Sequence, residues 1–434
     1  MTSGINTAPP RGTRDLLPPE VELRDAAAQQ ILDVYRSFGF RRIETPALES
    51  LRLLAGSDGG ENERLIFKVL KRGEDLQAAL RSGAELADLG LRFDLTVPLA
   101  RYYAENHARL PDPLKAIQIG PVWRAERPQK GRFRQFTQCD IDTLGQGTDL
   151  VEVELILATC EALARLGLGD LTVRINDRRI LGLIARHCGF GEAQQAGFFI
   201  TFDKLDKIGV TGVLDELRQA GSAPAAVAQF ERLLPSLQKG EASLRELASL
   251  GGGDDATALE SLDWIMRTAN ANIGPGARVQ FDPTLVRGMG YYTGTIFEIA
   301  SPAFSSSIAG GGRYDRMIGK LLGREVPACG FSIGFERLIL ILSERGAGQP
   351  AAPESEPSRR RIALLVDAAG DLTVALTAAR ALRAEGHWTS LELRRRNLGK
   401  QLADLQRHGF WGYATVEGAA APSVKPLTGP PERS

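Results

Sequence analysis

The 434-residue chain lacks the residue patterns of a zinc protein or a disulfide scaffold. It has four cysteines (Cys139, Cys160, Cys188 and Cys329), none in a Cys-x-x-Cys pair, and only four histidines. Neither a metal site nor a disulfide framework is expected, and a reducing, cytoplasmic compartment is. Long apolar runs are also missing. A membrane span needs about 20 apolar residues, and the longest stretch here, Leu338 to Leu342, falls far short of that. Met1 to Asp15 holds no apolar run suited to a signal peptide. Aromatics make up only 6%, so cores of Leu, Ala, Val and Ile are expected. Neither sign of charge is in excess, with Lys plus Arg and Asp plus Glu at 53 each. That balance argues against a tail-driven nucleic-acid binder but leaves room for local basic patches.

The most informative stretch is Gly120 to Asp142, GPVWRAERPQKGRFRQFTQCDID. Arg124, Arg127, Lys130, Arg132 and Arg134 crowd into it, with Glu126 as the one acid among them. Apolar runs flank the loop, Ala116 to Ile119 before it and Phe136 to Ile141 after it. Two strands joined by a basic, Pro- and Gly-containing loop make a hairpin that offers guanidinium forks to phosphate.

The length suits two or three packed domains. Pro18 and Pro19 open a helix to about Phe38, with Leu23, Ala27, Ile31, Val34, Tyr35 and Phe38 at helical spacing. Arg41 to Pro46 reads as a short strand ending at proline. Leu91 to Leu95 reads as a strand, followed by a helix from about Pro98. Residues 150–166 form an amphipathic helix. From Leu171 to Gly274 helices dominate, broken near Gly209, Gly221 and Gly251, which suggests a helical insertion at 171–274. Strand character returns at Ala277 to Ala300, and a helix is expected from near Ile333 to Glu344. Residues 346–360 have linker composition. Residues 361–434 alternate strand and helix, as in a small α/β domain with a mixed or parallel sheet. No typical strand is evident in Gly418 to Ser423.

Arg-x-Glu-Arg-Pro-Gln-Lys-Gly-Arg-x-Arg-Gln-Phe closely resembles the second signature motif of class II aminoacyl-tRNA synthetases, in its histidyl version. Three other segments resemble the same family. The helix and proline-ended strand resemble motif 1, a dimer-forming element there. Cys329-Gly-Phe-Ser-Ile-Gly-Phe-Glu-Arg is similar to motif 3. Leu285-Val-Arg-Gly-Met-Gly-Tyr-Tyr-Thr-Gly and Ala309-Gly-Gly-Gly-Arg-Tyr-Asp resemble the two histidine motifs of histidyl-tRNA synthetases. The resemblance covers nearly the whole chain to about Leu342. It implies an α+β fold: a catalytic core with an antiparallel sheet flanked by helices (1–170 and 275–345), a helical insertion and a C-terminal α/β anticodon-binding domain.

The resemblance also implies roles. Arg124 would hold the ATP α-phosphate, Glu126 the adenine, Arg132 the rest of the nucleotide and Arg337 the γ-phosphate. Arg287 would sit beside the reacting carboxylate and stabilise growing charge, with Arg124 as its catalytic companion. Asp94, Thr96 and Gln138 would take the α-ammonium of histidine. Asp142 and Tyr292 would hold the imidazole from opposite edges, and Tyr314 would line its pocket. Tyr291, from the same motif, joins the histidine set, although a core or sheet-face role suits it as well. Arg127, Gln129 and Lys130 would meet the tRNA end. Gly290 stands where many members carry Asp, so the carboxylate expected beside Arg287 is missing.

The implied substrates are L-histidine, ATP with Mg2+, and tRNA(His), and the implied state is a homodimer. Leu391-Glu-Leu-Arg-Arg-Arg-Asn-Leu-Gly-Lys resembles the anticodon-binding domain, while Arg394, Arg395, Arg396 and Lys400 equally suit a solvated face. Two alternatives stay open: a histidine-sensing regulatory subunit of ATP phosphoribosyltransferase, and a paralogue that loads activated histidine onto another acceptor.

Overall fold

The basic segment does join two long strands, and the rest of the large sheet is built outward from that hairpin. The computed structural model describes residues 6–56, 61–128, 132–240, 243–286, 291–345, 360–367, 372–416 and 422–427. The chain divides into two units, Met1–Pro350 and Ala351–Ser434. In the first, strands run in chain order as β1 (Arg41–Arg42), β2 (Leu48–Ser50), β3 (Lys68–Leu70), β4 (Ala87–Leu91), β5 (Leu114–Trp123), β6 (Gln135–Leu144), β7 (Leu171–Asp177), β8 (Ala277–Phe281), β9 (Thr295–Ser301), β10 (Phe304–Arg313) and β11 (Ala328–Gly334).

Eight of these form one sheet in the order β1-β5-β6-β11-β10-β9-β7-β8. The interior pairs are antiparallel, and only the outer pairs β1–β5 and β7–β8 are parallel. Strands β2, β4 and β3 make a separate small sheet. Side chains alternate between the two faces of a strand. On β5 and β6, Ile117, Cys139 and Ile141 enter the main core. Gln138, Asp140 and Asp142 therefore point to the other face. Helices Pro18–Ser37 and Leu150–Arg165 belong to the same core. The first of these begins with Pro at N1, where the missing N–H costs nothing, and buries Ala27, Ile31, Val34 and Tyr35 at helical spacing. Each fully buried Ile or Val there contributes about 1.5–3 kcal/mol. A second core gathers Val97, Leu99 and Tyr103 with Tyr314, Met317 and Ile318.

The structure moves four expected boundaries. The strand expected at Leu91 to Leu95 ends at Leu91, because the chain leaves the small sheet there to bridge to the large one: Arg92 N–H donates to Ala47 and the Arg92 carbonyl accepts from Trp123. The helix after it begins at Thr96, so Pro98 sits in the first turn. The helix expected from Ile333 begins at Phe335, because β11 stays paired with β6 through Gly334. Leu171–Asp177 is not part of the helical run but strand β7, paired with β8 and β9. The helices begin at Arg178 and include Arg178–Cys188, Glu192–Phe202 and Asp254–Asn272. They pack Phe198 against Phe190 and Phe230, with ring centroids 4.5 and 5.0 Å apart. The break foreseen at Gly209 is a kink at φ 69° inside Leu205–Gln219.

In the second unit, β12 (Arg361–Val366), β13 (Trp388–Leu393), β14 (Gly412–Thr415) and β15 (Val424–Pro426) form a mixed sheet ordered β13-β12-β14-β15. The first three are parallel and β15 is antiparallel to β14. A last strand thus follows the Ala- and Pro-containing stretch where none was evident. Of the linker expected at 346–360, residues 346–359 lie outside the described residues.

One ion pair ties the large sheet to the helix over it. Arg313, at the end of β10, donates from Nε and Nη2 to the two oxygens of Glu152, each at 2.7 Å, and Glu152 is fully buried. Removing one partner of a buried pair strands the other charge. Glu152→Ala is therefore expected to cost about 3–5 kcal/mol of stability, seen as a lowered urea midpoint. A loss within experimental error would mean that the pair does not anchor β10.

Candidate active site

The polar face of the large sheet is the floor of a cleft of about 380 Å³, a volume suited to a small molecule. Strand register decides what lies on it. One row crosses β5, β6, β11 and β10 as Gln118, Asp140, Ser332 and Gly310. Two residues along, the next row reads Ala116, Asp142, Gly330 and Gly312. The glycines of this second row are required by close approach. A Cβ on Gly330 would lie 1.9 Å from Asp142 Oδ1, and one on Gly312 would lie 2.9 Å from the Tyr292 ring. The Gly-rich run at 310–312 is therefore strand, part of β10, and forms the cleft floor rather than a turn.

Asp142 is buried, and Tyr314 donates its hydroxyl to Oδ1 at 2.6 Å. Burial pushes the Asp142 carboxyl up to about 7; the Tyr314 bond opposes this and nearby Asp94 adds to it. Burial also carries the Tyr314 hydroxyl well above its ordinary range. Tyr291 and Tyr292 stand alongside, with ring centroids 4.8 Å apart, and Tyr291 lies 6.1 Å from Tyr314. Asp94 is buried and its Oδ1 accepts from Val97 N–H at 3.1 Å, in the first turn of helix Thr96–Asn106. Gln138 donates to Ser332 Oγ at 3.1 Å, while its buried Oε1 has no hydrogen-bond partner.

Guanidinium groups hold the other end of the cleft. Arg124 follows β5; its Nε donates to the Phe93 carbonyl at 3.0 Å and its guanidinium lies over Phe136. Arg337, in the first turn of helix Phe335–Glu344, donates to the Ser307 carbonyl and lies over Phe304. Arg132 faces Glu126 across 3.8 Å. Glu336, next to Arg337, receives both terminal nitrogens of Arg24, at 2.7 and 2.8 Å, together with the backbone N–H of Thr137. Arg24 lies on helix Pro18–Ser37, so three sequence segments meet at one carboxylate. These bonds hold Glu336 below the ordinary carboxylate range against its own burial, which is the largest single influence and acts upward.

Of the expected histidine set, Asp94, Thr96, Gln138, Asp142, Tyr291, Tyr292 and Tyr314 all line this cleft. Of the expected nucleotide set, Arg124, Glu126, Arg132 and Arg337 do so. Arg127 is exposed and outside the lining. Arg287, Gly290, Gln129 and Lys130 lie outside the described residues. Sequence reasoning missed Asp140, Glu298 and Glu336, which also line the cleft. Asp140 had a signal: in Gln138-Cys139-Asp140-Ile141-Asp142, polar residues recur at every second position and must share a face.

Comparison with known proteins gives this arrangement a family. The family model described as histidyl-tRNA synthetase matches residues 12–338. A histidine–tRNA ligase of Leifsonia xyli subsp. xyli (strain CTCB07) is 47% identical over 436 residues, covering 97% of this chain and 98% of its own. Among solved structures, histidyl-tRNA synthetase from Nostoc sp. PCC 7120 superposes with a TM-score of 0.77 at 28% identity, over 98% of this chain and 95% of that one. A protein of Bacillus halodurans C described as an ATP phosphoribosyltransferase regulatory subunit/histidyl-tRNA synthetase shares the fold, with a TM-score of 0.76 at 22% identity over 95% of this chain and 98% of its own. Motifs, sheet and cleft agree with the match over most of the chain, and the protein belongs to the histidyl-tRNA synthetase family.

Proposed function

We infer that the cleft activates L-histidine with ATP and passes it to tRNA(His). The observation that carries this reading is one cleft with a carboxylate–phenol pocket at one end and arginines at the other. Asp142 and Tyr292 suit the two edges of an imidazole, one accepting and one donating. A site with polar groups committed on both edges rejects side chains that would leave either unpaired. Asp94, Thr96 and Gln138 suit the α-ammonium. With the amino acid so held, its carboxylate is directed toward Arg124 and Arg337, where triphosphate charge is met by guanidinium forks.

The reaction needs no covalent nucleophile from the protein. The histidine carboxylate attacks the α-phosphorus of ATP in line, the bond to the β-phosphate oxygen breaks, and pyrophosphate leaves. The terminal ribose hydroxyl of tRNA then attacks the acyl carbon, and AMP leaves. Arg124, and Arg287 by its motif, stabilise the charge that grows at the α-phosphate, so the protein's work is positioning and electrostatics. Arg127, Gln129 and Lys130 are assigned to the tRNA end, and a homodimer is the expected assembly. No group of three or more His, Cys, Asp and Glu among the described residues could hold a metal ion. The nearby acids have protein partners: Glu298 accepts from Ser307, and Glu336 from Arg24. Magnesium would enter with the ATP substrate, bound through phosphate oxygens.

Amino-acid-dependent pyrophosphate exchange tests the reading. Exchange is expected with histidine alone, and Arg124→Ala is expected to slow it by roughly 10²–10³-fold. Exchange with no amino acid would overturn the ligase reading in favour of the regulatory alternative.

The imidazole acceptor carries a stability cost with a definite pH signature. The folded-state carboxyl of Asp142 titrates at about 7, above its ordinary 3.8. The folded protein thus binds this proton more tightly than the unfolded chain, and stability falls as pH rises through that window. Asp142→Asn removes this titrating carboxyl. Between pH 5 and 8 the variant is expected to gain roughly 2 kcal/mol relative to the unsubstituted protein, measured by denaturant titration at each pH. A stability difference that does not change with pH would show that Asp142 titrates as an ordinary carboxylate.

A further inference from the structure

We propose that Asp140 is a further substrate-recognition residue, which meets the α-ammonium of the bound amino acid through Oδ1 and orients Gln138 to do the same. The proposal rests on the reading of this cleft as the amino-acid site. Asp140 lies on β6 between Gln138 and Asp142, on the cleft face, and lines the cleft. It is 3% exposed, and its Oδ1 makes no hydrogen bond. Buried carboxylate oxygens normally find donors, so an orphan one lining a cleft marks a place where a donor is missing.

The neighbouring amide shows which kind of donor. Gln138 Nε2 is committed to Ser332 Oγ at 3.1 Å and leans on Asp140 Oδ2 at 3.5 Å. Those two acceptors fix which way the amide points, and its Oε1 is left buried with no partner. Two neighbouring acceptors without donors, with the Asp94 carboxylate near enough to be felt at Asp140, call for a cation that carries several hydrogens. An ammonium supplies three. Two places along the row that holds Asp140 is Gly310 on β10, which adds no side chain to the floor and leaves room for such a group, and beyond it the row continues to Glu298 on β9.

The surroundings account for the charge state of Asp140. Burial, then Asp142, push its carboxyl well above the ordinary range; Ser332 pulls it down, Asp94 raises it and Arg124 lowers it. Arg92, whose guanidinium donates to the Thr45 and Pro121 carbonyls, also feels this carboxyl. An arriving ammonium would place a positive charge beside this carboxyl and oppose that rise.

The test compares two ligands that differ only in the amine: histidinol, the amino alcohol analogue of histidine, and deaminohistidinol. Binding of each to the full chain is measured by calorimetry. The unsubstituted protein is expected to prefer histidinol. In Asp140→Asn, histidinol is expected to weaken roughly tenfold or more, while deaminohistidinol stays within about twofold and so certifies that the variant is folded. Equal weakening of both ligands would make Asp140 a structural residue only and overturn the proposal. A preference that survives in the variant would overturn it as well, with the cleft assignment intact. Absence of any preference in the unsubstituted protein would sink the ammonium pocket and Asp140 with it.

Discussion

Everything in the cleft depends on the register of β6 between β5 and β11. Because side chains alternate, one setting of that register sends Cys139 and Ile141 into the helical core and Gln138, Asp140 and Asp142 into the cleft. A slip of one residue would exchange the two sets, burying three polar groups beneath helices. The apolar half of the alternation makes the wrong register costly. The same hydrophobic burial that stabilises the sheet therefore also aims the recognition groups, which gain little stability from their own placement.

The next level of order comes from buried ion pairs one residue away from groups that face the cleft. Arg313 is fastened to Glu152, and the following residue is Tyr314. Glu336 is fastened to Arg24 and Thr137, and the following residue is Arg337. In each case the ion pair, on the core side at Arg313 and at the cleft wall at Glu336, fixes the backbone, and the neighbouring residue works in the cleft. Charged pairs hydrogen-bonded through two parallel contacts have a narrow permitted geometry, which is why they serve as such fasteners.

How much could be read from the chain alone follows from the range of each interaction. The basic hairpin was legible because its two strands and loop are contiguous; the described residues of the histidine and nucleotide sets line the cleft, and Arg127 of the tRNA set lies outside it. Strand β7 was not legible. Its partners β8 and β9 lie beyond the whole helical stretch, and a buried strand at the edge of such a stretch carries no local mark of its pairing. Gly330 is visible in the sequence as part of the run similar to motif 3, but what requires a glycine there, the carboxylate of Asp142 on the neighbouring strand, is a contact between distant segments. Asp140 was legible in principle. The alternation along β6 places all three polar residues on one face alike, although the motif resemblance gives roles only to Gln138 and Asp142.

The bond from Tyr314 to Asp142 makes the pocket sensitive to valence as well as to shape. One oxygen of the Asp142 carboxylate is occupied before any ligand arrives, so the imidazole edge of the cleft has limited capacity to accept further N–H groups. A neutral imidazole brings a single such group on that edge and fits that capacity. A lysine ammonium brings three and an arginine guanidinium five, more than the remaining Asp142 oxygen can accept at that edge. On this account the pocket excludes the two most abundant cationic side chains by counting hydrogens, even though its carboxylates would otherwise attract them.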